Sequence, residues 1–164
     1  MDTQNTPKVL GFLCQWCSYN GADLAGAMRL QYPPEIRIIL VPCTGRIDIL
    51  HLLQAFEAGA ETVFVSGCHE GDCHYLAGNF FARKRVARVK EILQSIGLEP
   101  ERVEMFHVSA SEGPKFAAVA AEMTQRAYEL GPNPVKQEAR LEWLAQPGTM
   151  AGAAGVQEAG PQAT

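Results

Sequence analysis

Four short runs constrain the fold of this chain more than any other feature. Val9–Cys14, Ile36–Val41, Thr62–Ser66 and Val103–Val108 are β-branched or aromatic and nearly all apolar. A strand without polar alternation has both faces buried, as in a parallel sheet covered by helices. Helical stripes lie between the runs. Ile49, Leu53 and Phe56 recur at helical spacing before Gly59, and Val86, Val89, Leu93 and Ile96 do so before Gly97. Each predicted helix thus carries a core stripe and a glycine stop. A further stripe, Phe116, Val119, Ala120, Met123 and Ala127, follows a capping-box pattern at Ser109 and Glu112 and ends at Gly131–Pro132. A shorter helix is predicted over Ala22–Leu30. The expectation is an α/β fold: a single three-layer domain with a four-stranded parallel sheet in the order 2-1-3-4, flanked by helices, plus a C-terminal extension.

That domain spans residues 1–132. Residues 133–164 form the extension, in which Leu141, Trp143 and Leu144 predict a short amphipathic helix and PGTMAGAAGVQEAGPQAT predicts a disordered low-complexity tail. No run approaches the roughly 18 apolar residues of a membrane-spanning helix, and MDTQNTPK lacks the basic start and apolar centre of a signal peptide. No transmembrane segment and a cytoplasmic location are expected. A net charge of -4 argues against nucleic acid as a partner, because phosphate binding needs a basic stripe.

The five cysteines carry the functional signal. Cys14 and Cys17 follow the first strand, Cys43 the second, and Cys68 and Cys73 the third. In a doubly wound parallel sheet these strand-to-helix loops all leave from the carboxyl edge, where ligands gather. With the order 2-1-3-4 the three loops are neighbours, so all five thiols converge. An odd number of cysteines in a reducing compartment points to metal or thiol chemistry instead of a disulfide framework. Thiolates suit a structural zinc and an iron-sulfur cluster equally well, and residue type alone leaves the two level. Cys14-Gln15-Trp16-Cys17 also fits a thioredoxin-like pair. Such a pair draws its low pKa from a helix N-terminus, and Ser18-Tyr19-Asn20-Gly21 is expected to intervene before helix-forming sequence.

The surrounding residues have plainer readings beside the functional ones. His69 and His74 flank the third-strand cysteines and suit ligation or a hydrogen bond to sulfur, although loop histidines are more often solvated or packed. His51 and His107 read as structural, and Asp23 and Asp72 as cap and loop residues. Gly45, Gly67 and Gly71 let backbone N–H groups approach a bound group, because glycine brings no side chain. Trp16 and Tyr19 suit a docking surface or a shield. The basic run Ala82–Lys90 reads as a helix's wet face or as a patch for an acidic partner.

Four stretches, FLCQWCSYNGAD, YPPEIRIILVPCTGRID, GAETVFVSGCHEGDCHYLAGN and SASEGPKFA, resemble the delta, or iron-sulfur, subunit of methyl-viologen-reducing hydrogenase in order and spacing from about Val9 to Ala127. All five cysteine positions match the family pattern, as do Trp16, Tyr19, Gly21, Asp23, Gly45, Arg46, His69, Gly71, Asp72, His74, Tyr75 and Asn79. The resemblance implies a [2Fe-2S] cluster, for which four of the five cysteines suffice; Cys68 and Cys73 are expected among the essential ones, because their glycine-rich loop can fold tightly around the inorganic core. The resemblance also implies an electron relay without its own substrate chemistry. The implied partners are a hydrogenase or other electron-donor module on one side and heterodisulfide-reductase-like FAD and iron-sulfur subunits on the other, where flavin-based electron bifurcation takes place. The segment after Pro132 lies beyond the shared pattern. Two other readings remain: a zinc-stabilised scaffold protein, and a thiol-disulfide oxidoreductase using Cys14 and Cys17.

Overall fold

The computed structural model describes residues 6–135. Strands β1 (Val9–Cys14), β2 (Ile36–Val41), β3 (Thr62–Gly67) and β4 (Val103–His107) alternate with helices α1 (Ser18–Ala27), α2 (Ile49–Glu57), α3 (Gly78–Ser95) and α4 (Gly113–Leu130). The four strands form one parallel sheet in the order β2-β1-β3-β4, as the sequence predicts. The predicted tail and its helix through Leu141, Trp143 and Leu144 lie outside the described residues.

Side-chain alternation along each strand divides the core in two. Phe12, Val63 and Val65 pack with Leu52 and Phe56 of α2 and with Val86, Val89 and Leu93 of α3. Val9, Leu13 and Phe64 pack with Ala22 and Ala25 of α1 and with Phe116, Val119 and Met123 of α4. A period of two in the strands thus meets a period of 3.6 in the helices on both faces. Gly11 pairs with Phe64, and a Cβ there would lie 2.4 Å from the Phe64 ring, so the glycine makes room for the largest central side chain. The glycine stops hold as well: Gly59 and Gly97 take φ of 91° and 80°, a left-handed conformation natural to glycine.

Three local expectations give way. β2 is not buried on both faces; Ile38, Ile39 and Leu40 are exposed, because β2 is the edge strand. Helix α1 begins at Ser18 and ends at Ala27, four residues earlier at its start than the predicted Ala22. Its first turn is stabilised from outside itself. Ser18 Oγ donates to Ser66 O and accepts from Cys14 N–H, and a Cβ on Gly21 would lie 2.8 Å from Ser109 O. Packing of α1 against the β4–α4 loop therefore overrides the weak helix propensity of Asn20 and Gly21. The capping box at Ser109 and Glu112 is half formed. The Glu112 carboxylate accepts from Ser109 N–H at 2.7 Å, but Ser109 Oγ turns to Ser111, and α4 starts one residue after Glu112 with a proline in its first turn. A reciprocal cap forms instead at α2, where Asp48 accepts from Leu50 N–H and His51 Nδ1 accepts from Asp48 N–H.

Candidate metal centre

The carboxyl ends of β1, β2 and β3 deliver the five thiols. Cys14 is the last residue of β1 and Cys17 is the N-cap of α1. Cys43 caps a single 3-10 turn, Thr44–Arg46, after β2. Cys68 follows β3 and Cys73 lies in the loop before α3. All five are free and buried, with exposures between 1% for Cys14 and 8% for Cys73.

The thiols fall into a trio and a pair. The sulfurs of Cys14, Cys17 and Cys68 lie within 4.8 Å of one another. The sulfurs of Cys43 and Cys73 flank Gly78, where a Cβ would sit 2.3 Å from Cys43 Sγ and 3.3 Å from Cys73 Sγ. Any other residue at the start of α3 would push these two thiols apart. A Cβ at Gly45 would in turn lie 2.7 Å from Gly78 Cα, so two glycine backbones meet beside the pair. Gly45 N–H points to Cys43 Sγ at 3.4 Å and Gly78 N–H to Cys73 Sγ at 3.2 Å.

The electrostatics of this set favour a cation. The Cys17 thiol beside Cys14 pulls the latter down to about 6. Burial raises Cys73, but the backbone N–H groups of Asn79, Tyr75 and Gly78 outweigh it and hold that thiol below its ordinary value. The remaining thiols shift the other way. Burial pushes Cys43 up to about 11 and raises Cys68, while Cys17 is raised by its shared bond with Cys14 and by burial. Ionising every thiol here would crowd negative charges in a low-dielectric edge, and a bound metal reverses that cost by deprotonating the ligands outright. The soft all-sulfur donor set, with backbone cleared at Gly78 and Gly45, fits an iron-sulfur cluster and also fits zinc.

The predicted accessory residues frame the thiols without touching them as ligands. His69 Nε2 lies 2.7 Å from Glu112 Oε2, which joins the Cys68 loop to the start of α4. The bonds from Ser109 N–H and His69 hold the Glu112 carboxyl down to about 2. His74 stacks on Trp16 with ring centres 3.9 Å apart, and Tyr75 packs edge-on against His74. Trp16 and Tyr19 are both partly exposed. Gly67 faces Thr44, whose Oγ1 would lie 3.0 Å from a Cβ there, and Gly71 forms a turn at φ 88° with open space around it.

Several supporting residues have roles that the sequence does not announce. His107 Nδ1 lies 2.7 Å from Cys68 O, and Asn79 Nδ2 donates to Cys68 O and His69 O, so the Cys68 backbone is clamped from two sides. Arg85 belongs to the basic run but is not a wet residue: its Nη1 donates to Gly45 O and Ile47 O at 2.7 Å and pins the Cys43 turn to α3. Gly78-Asn79 at a helix start is the one local signal of a backbone packed close to the thiols. Nothing local marks Arg85. The early start of α1 also places Cys14 and Cys17 at a helix N-terminus, which the sequence does not lead one to expect. A thioredoxin-like pair nevertheless needs an accessible nucleophile, whereas Cys14 is 1% exposed and has Cys68 as a third thiol neighbour.

No helix among the described residues is long and apolar enough to cross a membrane. A family model for the methyl-viologen-reducing hydrogenase delta subunit matches residues 9–131. The chain is 48% identical over 131 residues to the vhc iron-sulfur subunit of the F420-non-reducing hydrogenase of Methanococcus voltae, covering 80% of this chain and 91% of that protein. Against the vhu iron-sulfur subunit of the F420-non-reducing hydrogenase of Methanopyrus kandleri it is 49% identical over 124 residues, covering 76% and 94%. It is also 42% identical over 139 residues to one subunit of the ferredoxin:CoB-CoM heterodisulfide reductase of Methanosarcina mazei, covering 85% of this chain and 17% of that longer protein. The family match runs from the first residue of β1 to the glycine that ends α4 and so takes in the whole sheet and every thiol loop; the chain belongs to the family of the methyl-viologen-reducing hydrogenase delta subunit.

Proposed function

We propose that this protein is an electron-transfer subunit whose cysteine edge carries a [2Fe-2S] cluster. It relays single electrons between a donor module, a hydrogenase or another oxidoreductase, and a heterodisulfide-reductase-like flavoprotein with its iron-sulfur subunits, in a cytoplasmic electron-bifurcating complex. The observation that carries this reading is the gathering of five buried thiols from three loops at one sheet edge. The iron-sulfur names of the relatives favour iron over zinc for that edge.

The cluster supplies one-electron chemistry; the chain supplies ligands, donors and shielding. Four thiolates suffice for a [2Fe-2S] cluster. The separation into a trio and a pair supports Cys43 and Cys73 on one iron, with Cys68 and one of Cys14 and Cys17 on the other. Gly45 and Gly78 offer backbone N–H groups to sulfur, and such bonds stabilise the more negative, reduced state. The stacked Trp16 and His74 and the neighbouring Tyr75 shield the edge. Gly67, Gly71 and His69 shape and brace the loops. Residues 1–132 are the electron-transfer domain, and the extension from 133 is an attachment to the complex.

Metal analysis with EPR on anaerobically purified native complex tests the proposal. The expected result is about two irons and two acid-labile sulfides per chain. Stoichiometric zinc without visible absorbance would replace this reading with a zinc-stabilised scaffold. Reduction of a small disulfide by the isolated chain would instead point to a thiol-disulfide oxidoreductase.

A further inference from the structure

The backbone treats the two groups of thiols differently. Both N–H to sulfur hydrogen bonds of full geometry among the described residues fall on the pair, from Gly45 to Cys43 and from Gly78 to Cys73. The amides of Trp16 and Thr44 lower Cys14 and that of His74 lowers Cys68 without reaching that geometry. In the trio, Cys14 Sγ instead faces a carbonyl, Pro42 O, at 4.0 Å, and the three sulfurs otherwise face one another. An amide hydrogen stabilises added negative charge on sulfur, and a carbonyl oxygen does not.

The glycines at the pair are demanded by this arrangement. A Cβ on Gly78 would occupy the space of the Cys43 sulfur, and one on Gly45 would strike Gly78. Arg85 holds the Gly45 carbonyl, so the turn that aims this N–H is fastened to α3. The Cys43 side of the pair also borders a recess. The recess, of about 340 Å³, is lined by Cys43, Arg46, Tyr75, Gly78 and Phe81, and both of its aromatic residues are exposed.

We propose that Cys43 and Cys73 hold the iron that changes valence, and that the recess lined by Cys43, Tyr75 and Phe81 is the port through which the neighbouring redox centre, an iron-sulfur donor, approaches. This rests on the [2Fe-2S] reading above. With a cluster held by these thiols, one electron from an iron-sulfur donor would reduce the iron on the Cys43–Cys73 side from ferric to ferrous, and the donor would be oxidised by one electron. No bond forms or breaks, and no proton is required.

The experiment begins with iron and sulfide counts on the unmutated protein, so that failure of the cluster reading is seen separately. Single serine substitutions at each of the five cysteines are then compared by EPR-monitored redox titration of the cluster-loaded complex. Cys43→Ser and Cys73→Ser should lower the reduction equilibrium constant at least tenfold, about 59 mV for one electron, and alter the EPR signal of the reduced protein. Serine at Cys14, Cys17 or Cys68 should change it less than threefold. The reverse ranking, or equal shifts in both groups, overturns the proposal. Variants that lose the cluster leave a second measurement on the unmutated protein. In proton NMR of the reduced state, antiferromagnetic coupling makes the β-protons of cysteines on the ferrous iron shift further from their diamagnetic positions as temperature rises. Those signals should show cross-relaxation to the Gly78 α-protons; cross-relaxation to Trp16 or Ser18 would place the ferrous iron on the trio and refute the assignment.

Discussion

At the amino ends of β3 and β4, Arg102 and Asn133 are buried with their partners already in place; at the carboxyl ends the thiols are buried largely facing one another. Arg102, 1% exposed beside the start of β4, donates to Glu99, to Glu61 O, to Gly131 O and to Leu130 O. Asn133, equally buried, donates to Phe56 O and Ala60 O. These side chains bond carbonyls at the end of α4 and around the turn between α2 and β3, so their own donors are satisfied within the chain. The thiols at the other edge have backbone amides, two of them at hydrogen-bond distance, and one another. A polar cluster whose bonding is complete inside the chain contributes to folding, whereas one whose donors are left in common awaits a ligand. The contrast therefore separates stability from function along the length of one sheet.

The comparison breaks most sharply at the ligands. Changing Cys68 and Cys73 together to alanine should remove all iron and sulfide, while the metal-free chain keeps its far-UV circular dichroism, since the two hydrophobic clusters do not include these side chains. Iron retained at the wild-type level would show that the third loop is not part of the centre. The converse comes from Arg102→Ala. Three carbonyls and Glu99 lose a buried cationic donor, so the metal-free protein should lose about 3 kcal/mol in urea unfolding. Iron per folded chain should stay at the wild-type value. A loss of iron without a loss of stability would contradict the division of roles.

Gly78→Ala sharpens the boundary between the two regions. Its methyl group would occupy the position now taken by Cys43 Sγ, and such overpacking costs roughly 1–3 kcal/mol. Iron occupancy should fall several-fold, and wild-type occupancy would mean that the thiols have freedom to move aside. The smallest effect lies at neither edge. Lys90 and Arg126 hold the Glu104 carboxyl below its ordinary value although burial opposes them. Its folded pKa is lower than its unfolded one, so its contribution to stability is present above the ordinary carboxyl range, near 4.3, and is lost as pH falls through the folded value. Glu104→Gln should cost about 1 kcal/mol at neutral pH and flatten the acid limb of the unfolding curve. Equal losses at neutral pH and at pH 3 would remove the ion-pair explanation.

Much of this architecture is legible in residue patterns. The apolar runs and glycine stops place the strands and α2, α3 and α4, because burial on a repeating element leaves a period that survives in the sequence. The position of every cysteine behind a strand places all five at one edge, because parallel connections send those loops to the same side. α1 is less legible. Ser18-Tyr19-Asn20-Gly21 carries no helix signal, and only the contacts of Ser18 with Ser66 and of Gly21 with the Ser109 backbone make it the first turn of a helix. β2 reads like the other strands yet is exposed, since a strand does not record which neighbour it lacks.

By itself, then, the sequence determined the layered parallel sheet, its order and the convergence of the thiols, because these follow from periodicity and chain connectivity. Tertiary structure decided how the thiols divide. Whether Cys43 stands with Cys73 or with Cys14 depends on the approach of α3 to the Cys43 turn, which is set by Arg85 on two carbonyls and by the meeting of Gly45 with Gly78. Those contacts join residues far apart in the chain, and no local pattern encodes the angle at which two loops meet. The same physics hides Arg102 within an ordinary Glu-Pro-Glu-Arg turn: the carbonyls that make its burial tolerable come from Glu61, Leu130 and Gly131 and are assembled only when the chain folds.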